Sequence, residues 1–120
     1  MFIDPAAKAF LDSLGNGPPP PADINEQRAG FSALWQSMAP EPPSGPVKIT
    51  KEVMSDGRQI ECLVYRPNEV EENLPVLVFY HGGGGIMLSP EDFDATSRML
   101  AEHASCMVVV PRYRQAPENP

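Results

Sequence analysis

Apolar residues recur every three or four positions in two stretches near the start of the chain, which is the spacing of an amphipathic helix. Asp4 and Pro5 form a typical start for the first helix, because aspartate caps free amide groups and proline suits the first helical position. Gly15 ends that helix. The second stretch predicts a helix from about residue 25 to residue 38, with a stripe of core or lid residues. That stripe consists of Phe31, Leu34, Trp35 and Met38.

The pattern becomes that of strands from Val47 onwards. Residues 47–53 and 60–65 flank a turn signal at residues 55–57, so the pair predicts a hairpin. Residues 74–80 form a continuous apolar run, which is typical of a strand buried on both faces of a largely parallel sheet. The proline-rich residues 40–46 separate the two regions. We therefore expect a helical cap segment at residues 1–46 and a sheet domain at residues 47–120.

A third helix is predicted after residue 89, because a serine cap, a proline and two acidic residues follow one another. Phe93, Met99 and Leu100 should face inward, and the helix should end near Ala104. Residues 107–110 then form another buried strand. Strand, glycine loop, helix and strand make a βαβ unit, which predicts an α/β fold with parallel members in its sheet.

The composition excludes several classes of function. The chain has 120 residues, enough for one domain, and its net charge of −7 argues against binding to nucleic acid or to anionic membranes. Cys62 and Cys106 lie in apolar runs read as strands and are expected to be buried and reduced. No Cys/His cluster suggests a metal, and no signal peptide or membrane span is evident, so we expect a cytoplasmic protein.

His81 is followed by four glycines, between a predicted strand and a predicted helix. Backbone N–H groups in such a loop can point at a ligand, because glycine allows close approach and unusual dihedral angles. A phosphate-binding P-loop would end in Gly-Lys-Ser/Thr, whereas this loop ends Gly-Ile-Met. A dinucleotide fingerprint fails too, since Met87 takes the place of its third glycine. An oxyanion hole and a plain flexible turn remain.

Two segments resemble the hormone-sensitive-lipase family of α/β-hydrolases: residues 74–84 (Leu-Pro-Val-Leu-Val-Phe-Tyr-His-Gly-Gly-Gly) and residues 113–120 (Tyr-Arg-Gln-Ala-Pro-Glu-Asn-Pro). Residues 64–67 are similar to the end of that family's second strand, and the leading helices to its cap. The resemblance implies the N-terminal portion of an α/β-hydrolase fold: the cap helices, the first four strands and the first core helix. It also implies a serine esterase or lipase that acts on small acyl esters without cofactor or metal.

The family pattern assigns roles to individual residues. The N–H groups of Gly83 and Gly84 would form most of the oxyanion hole, and His81 would hold the loop in shape without acting as the catalytic base. Other positions would line the substrate pocket or fix the turn after the fourth strand. The expected pocket residues are Gly82, Gly85, Phe31 and Trp35, and the expected turn residues are Tyr113, Arg114 and Glu118.

The sequence departs from the family pattern at three positions. Gly85 replaces an aromatic residue, which should loosen the loop or widen the acyl pocket. Arg112 stands where the family has aspartate, and Gln115 where it has leucine. The last two changes put the packing around the second motif in question.

The family's nucleophile motif, Gly-x-Ser-x-Gly, is not present among these residues. None of the eight serines lies between two such glycines, and His103, the other histidine, is expected on a helix in a structural role. We therefore expect a fragment of a longer protein or a partial gene product that is inactive alone. A ligand-binding relative without catalysis, as in the gibberellin receptors, and a nonfunctional remnant are the alternatives. The oligomeric state, the acyl length and the alcohol are not predicted.

Overall fold

A computed structural model describes residues 3–15, 19–67 and 73–120 of the chain. Its helices are α1 (Pro5–Gly15), α2 (Ile24–Met38), a 3₁₀ turn (Pro90–Phe93) and α3 (Asp94–His103). Its strands are β1 (Val47–Ser55), β2 (Arg58–Arg66), β3 (Val76–Val78) and β4 (Met107–Pro111). Among these residues no helix is long and apolar enough to cross a membrane.

The four strands form one mixed sheet in the order β1-β2-β4-β3. β1 and β2 are an antiparallel hairpin, and β2 pairs antiparallel with β4. β3 and β4 are parallel, with Leu77 opposite Val108, and the 3₁₀ turn and α3 connect them. The predicted hairpin and the predicted βαβ unit are therefore confirmed.

The core lies where α3 packs on β2 and β4. Tyr65, Val108 and Val110 are completely buried there, together with Ala101 of α3. The Tyr65 hydroxyl donates to Asp94 over 3.1 Å, and the same carboxylate accepts from Lys48 and Arg98 at 2.8 Å each. A buried hydroxyl needs such a partner, and two cations keep the carboxylate ionised beside it.

The predicted starts of the helices agree with the structure. The Asp4 carboxylate accepts from the amides of Ala6 and Ala7 at the start of α1. Asp23 caps α2 in the same way, and that helix begins at Ile24, one residue before the predicted start. Ser89 and Asp92 form a capping box, but the first turn that they cap is 3₁₀ rather than α-helical. Pro46, at the predicted boundary between the two segments, is buried and its carbonyl accepts from Arg98.

Three predictions of burial are wrong. The apolar run at 74–80 contains only a three-residue strand, and Val76 and Val78 are 60% and 52% exposed. Within the described residues β3 lies at the edge of the sheet, and α3 packs on β2 and β4 instead of covering it. Met99 is exposed, whereas Phe93 is buried and Leu100 packs against the core. The apolar stripe of α2 contains no buried residue, so its interpretation as core is wrong, while its interpretation as a lid stays a prediction.

Both cysteines are buried and unpaired, as predicted. Cys62 lies in β2, but Cys106 precedes β4 instead of lying within it.

We predict that the 120-residue chain self-associates through β3. Unpaired N–H and C=O groups flanked by exposed apolar side chains template further strand pairing. The other edge strand, β1, carries Lys48, Lys51 and Glu52, charges that discourage such pairing. Sedimentation velocity of the purified chain should show oligomers, and Val76→Lys should shift the population toward monomer.

Met54→Lys is the matched control for this prediction, because Met54 is as exposed as Val76 but lies on β1. It should leave the distribution of oligomers unchanged. A monodisperse wild-type monomer, or an equal effect of the two substitutions, would contradict the prediction.

Candidate active site

The parallel pairing of β3 with β4 brings the two sequence motifs to one edge of the sheet. The glycine loop follows β3 and residues 113–120 follow β4, so both lie at the carboxyl ends of neighbouring parallel strands. The amide of Phe79 donates to the carbonyl of Val109 over 2.8 Å, which extends the pairing almost to the loop. In open α/β sheets this edge is the usual place for a ligand.

The loop closes on the carbonyl of Gly83. That oxygen accepts from the amides of Ile86 at 3.2 Å and Met87 at 2.9 Å. The φ angles of Gly83, Gly84 and Gly85 are +119°, +65° and +71°. At Gly83 a Cβ atom would lie 1.9 Å from the carbonyl oxygen of Met87, so only glycine fits there. At Gly84 and Gly85 a Cβ would meet open space.

The N–H groups of Gly82, Gly83, Gly84 and Gly85 donate no hydrogen bond to any part of the chain that the structure describes. The next two amides, by contrast, are both used inside the turn. The glycine stretch is thus an ordered segment of backbone whose donors are available to a ligand.

His81 is buried at the base of the loop, 5% exposed. Its ring stacks on Tyr113 at 4.4 Å between centroids and also contacts Phe93 at 5.7 Å. Its Nδ1 lies 2.8 Å from the carbonyl oxygen of Gly82, and since that oxygen can only accept, Nδ1 carries the proton. The carbonyl of Gly82 and the amide of Gly83 belong to one planar trans peptide and point in opposite directions. The histidine therefore orients the Gly83 N–H away from itself.

The segment after β4 makes hydrogen bonds that support the loop. The Tyr113 hydroxyl donates to the carbonyl of His81 over 2.7 Å, and burial raises the pKa of that hydroxyl. The Gln115 side-chain amide donates to the carbonyls of Met87 and Leu88 at 3.0 Å each. Gln115 is one of the departures from the family pattern, and its amide makes contacts that a leucine could not make.

Helix α2 contributes a second set of contacts that the sequence analysis missed. Arg28 donates from Nε to the carbonyl of Ile86 over 2.8 Å, and from Nη2 to the carbonyl of Ala116 over 2.7 Å. Its guanidinium also donates to both carboxylate oxygens of Glu118, at 2.8 and 2.9 Å. The hydrogen bonds from Arg28 lower the pKa of Glu118 to about 2. The contact is therefore intact at neutral pH and is lost only as the pH falls from the usual glutamate range toward 2.

Two further side chains attach α2 to the capping box. Ser32 and Gln36 both donate to the Asp92 carboxylate, the latter over 2.8 Å. Burial alone would raise the pKa of Asp92, but these bonds and the one from Ser89 outweigh burial and hold the pKa below its usual value. Arg28, Ser32 and Gln36 are spaced four residues apart, so they form one face of the helix. That polar stripe was visible in the sequence, but it equally fits a solvated helix face.

The remaining predicted residues lie at varying distances from the loop. Trp35 packs on Phe93 at 5.2 Å between centroids, and Phe93 in turn contacts His81. Phe31, on the same helix, is 43% exposed. Arg112 forms ion pairs with Glu61 and Glu91 and not with the loop. Arg114 and His103 lie outside the cluster: Arg114 contacts Asn119 at 3.5 Å, and His103 ends α3.

The described residues contain no group of three or more metal-ligating side chains. The arrangement offers instead a row of backbone donors on a rigid base. Such donors can stabilise negative charge on an oxygen atom.

Comparisons with known proteins agree with this architecture. The sequence profile of the α/β-hydrolase fold family matches residues 77–120. The chain is 34% identical over 120 residues to the carboxylesterase NlhH of Mycobacterium tuberculosis. The match covers 98% of this chain and 37% of that protein. It is 30% identical over 114 residues to a versiconal hemiacetal acetate esterase of Aspergillus parasiticus, covering 92% of this chain and 36% of that protein.

A solved ester-hydrolase from the metagenome of Lake Arreo superimposes with a TM-score of 0.85 at 27% identity. The match covers 99% of this chain and 40% of that structure. The chain thus spans little more than a third of the length of the curated relatives it matches. Sequence profile, relatives and superposition all point the same way, and the chain belongs to the hormone-sensitive-lipase type of the α/β-hydrolase fold family, to whose N-terminal part it corresponds.

Proposed function

We propose that these residues supply the oxyanion-binding loop of a carboxylic-ester hydrolase. The observation that carries the proposal is the set of unused N–H groups on Gly83 and Gly84, held in an ordered turn at the carboxyl edge of the parallel strands. Ester hydrolysis passes through a tetrahedral intermediate whose carbonyl oxygen becomes negatively charged. Donors aimed in advance at that oxygen lower the barrier, because they need no reorganisation as the charge develops.

The other roles in the site follow from their distance to the loop. Gly82 and Gly85 would border the reacting group, since both have unused amides beside the two central donors. Trp35 and Phe31 on α2 would cover the acyl chain of a small ester. His81 would support the loop, because its ring is buried against Tyr113 and Phe93 and its Nδ1–H donates to the carbonyl of Gly82.

The attacking serine and its base would come from sequence outside these 120 residues, since no serine here lies in the nucleophile motif. One further oxyanion donor in this fold is the amide of the residue that follows the nucleophile. No cofactor or metal is required for this chemistry. The names of the relatives, carboxylesterase and hemiacetal acetate esterase, support an ester substrate.

A chimeric enzyme tests the proposed function. Residues 1–120 replace the matched segment of the carboxylesterase NlhH, whose remaining sequence provides the nucleophile and base. We predict that the chimera hydrolyses a short-chain nitrophenyl ester and that its serine reacts with a fluorophosphonate. The 120-residue chain alone should do neither, because donors without a nucleophile and a complete pocket give no acyl transfer.

A chimera that folds, as shown by circular dichroism and cooperative melting, but has no turnover would contradict the proposal. If the full exchange does not fold, a second chimera that carries only residues 74–120 gives the same test. Stoichiometric labelling of a serine in the isolated chain, with turnover that its mutation abolishes, would also contradict it.

Two substitutions at Gly84 distinguish the effect of losing its N–H donor from the effect of losing the conformational freedom of glycine. Gly84→Ala keeps the N–H and places the added Cβ in open space, at the cost of a left-handed φ, about 1–2 kcal/mol. Gly84→Pro removes the N–H and conflicts with the φ of +65°. In the chimera we expect Gly84→Pro to lower turnover at least about 10²-fold, the usual loss for one oxyanion donor, and Gly84→Ala to lower it far less. Near-normal turnover of a folded Gly84→Pro protein would place the oxyanion hole elsewhere.

A further inference from the structure

Arg28 is the residue at which three parts of the molecule meet. Its guanidinium reaches the carbonyl of Ile86 just after the glycine loop, and the carbonyl of Ala116 and the carboxylate of Glu118 in the segment after β4. Its sequence distance from Ile86 is 58 residues, and from Glu118 it is 90. A planar guanidinium can satisfy acceptors in several directions at once, whereas the ammonium of lysine cannot reproduce this fork.

The hydrogen bond from Arg28 to Ile86 is linked to the glycine loop by planar peptide groups. The carbonyl of Ile86 and the amide of Met87 belong to one trans peptide, so they point in opposite directions. The carbonyl points at Arg28, and the Met87 amide points at the carbonyl of Gly83. That carbonyl shares its peptide group with the amide of Gly84, which consequently points away from the turn. Two rigid peptide groups thus connect the guanidinium to the N–H of Gly84.

A second connection runs through the segment after β4. Arg28 donates to the carbonyl of Ala116, and the amide of Ala116 donates to the carbonyl of Gly85 over 2.9 Å. Glu118 holds the guanidinium in the orientation that both connections need. The glycine stretch is therefore fixed by the same side chain on two sides.

We propose that Arg28 is a positioning residue that aims the Gly84 N–H at the reacting carbonyl oxygen. The proposal rests on the proposed function of the glycine loop. It makes α2 part of the catalytic apparatus through a polar side chain, independently of any contact between its apolar residues and the substrate.

Arg28 could instead serve only to hold α2 against the rest of the molecule. Another residue of the same helix provides a control for that role. Gln36 attaches the same helix to Asp92 and makes no described contact with the loop. If Arg28 only held the helix in place, Gln36→Ala and Arg28→Ala would have similar effects. If Arg28 positions the donors, only Arg28→Ala affects the loop.

The first test uses the 120-residue chain itself and needs no activity. Amide hydrogen exchange is measured at Ile86 and Met87, the two amides that close the turn on Gly83. We expect Arg28→Ala to accelerate their exchange on the order of tenfold, Arg28→Lys to accelerate it by a smaller factor, and Gln36→Ala to leave it unchanged. Unchanged exchange in Arg28→Ala, or equal acceleration in Gln36→Ala, would overturn the proposal.

The second test uses the chimera with NlhH and separates kcat from KM. Losing a donor that acts only in the transition state lowers kcat, whereas losing a contact that binds the substrate raises KM. We expect Arg28→Ala to lower kcat on the order of tenfold to a hundredfold with little change in KM, and Gln36→Ala to change neither. A loss confined to KM would overturn the proposal. If the unmutated chimera is inactive, the proposed function fails, and the exchange measurement still decides whether Arg28 positions the loop.

Discussion

The parallel pairing of β3 with β4 is the interaction on which the rest of the structure depends. It places the residues that follow each strand at the same edge of the sheet, so the glycine loop and the Tyr113 segment come into contact without any further fold element. The pairing is itself maintained by α3, which crosses from one strand to the other and covers the core around Tyr65 and Val108. The meeting of these two segments is thus a consequence of one βαβ unit.

A second constraint operates within the loop, where the carbonyl groups of Gly82, Gly83 and Gly85 are engaged and the amides of the glycines are not. His81 binds the carbonyl of Gly82, the turn binds that of Gly83, and Ala116 binds that of Gly85. Because each carbonyl shares a planar peptide with the next amide, fixing the carbonyls also fixes the direction of the donors. Glycine is required at position 83 for space, while at positions 84 and 85 a left-handed φ favours it. The loop is therefore rigid for a physical reason, despite its composition.

Local signals in the sequence predicted most of the fold. The Asp4-Pro5 start, the hairpin turn and the serine cap of the third helix are each contained within a few residues, and the structure confirms all three with small shifts of boundary. The burial of β3 could not be predicted, because it depends on neighbours and not on the strand's own residues. The role of Arg28 depends on contacts 58 and 90 residues away, which no local pattern encodes. For the site, the sequence predicted the loop, its glycines and His81 as its support, but not the contacts that Arg28 and Gln115 make with it.

A crystal structure of the chimera with NlhH, inhibited by a short-chain phosphonate bound to its nucleophile, tests the central claim most directly. The phosphonyl oxygen takes the place of the oxyanion. We predict that this oxygen lies about 2.7–3.1 Å from the backbone nitrogens of both Gly83 and Gly84, with the Arg28 contact to Ile86 intact. An oxygen bound by other donors, or a glycine loop turned so that its carbonyls face the inhibitor, would contradict it.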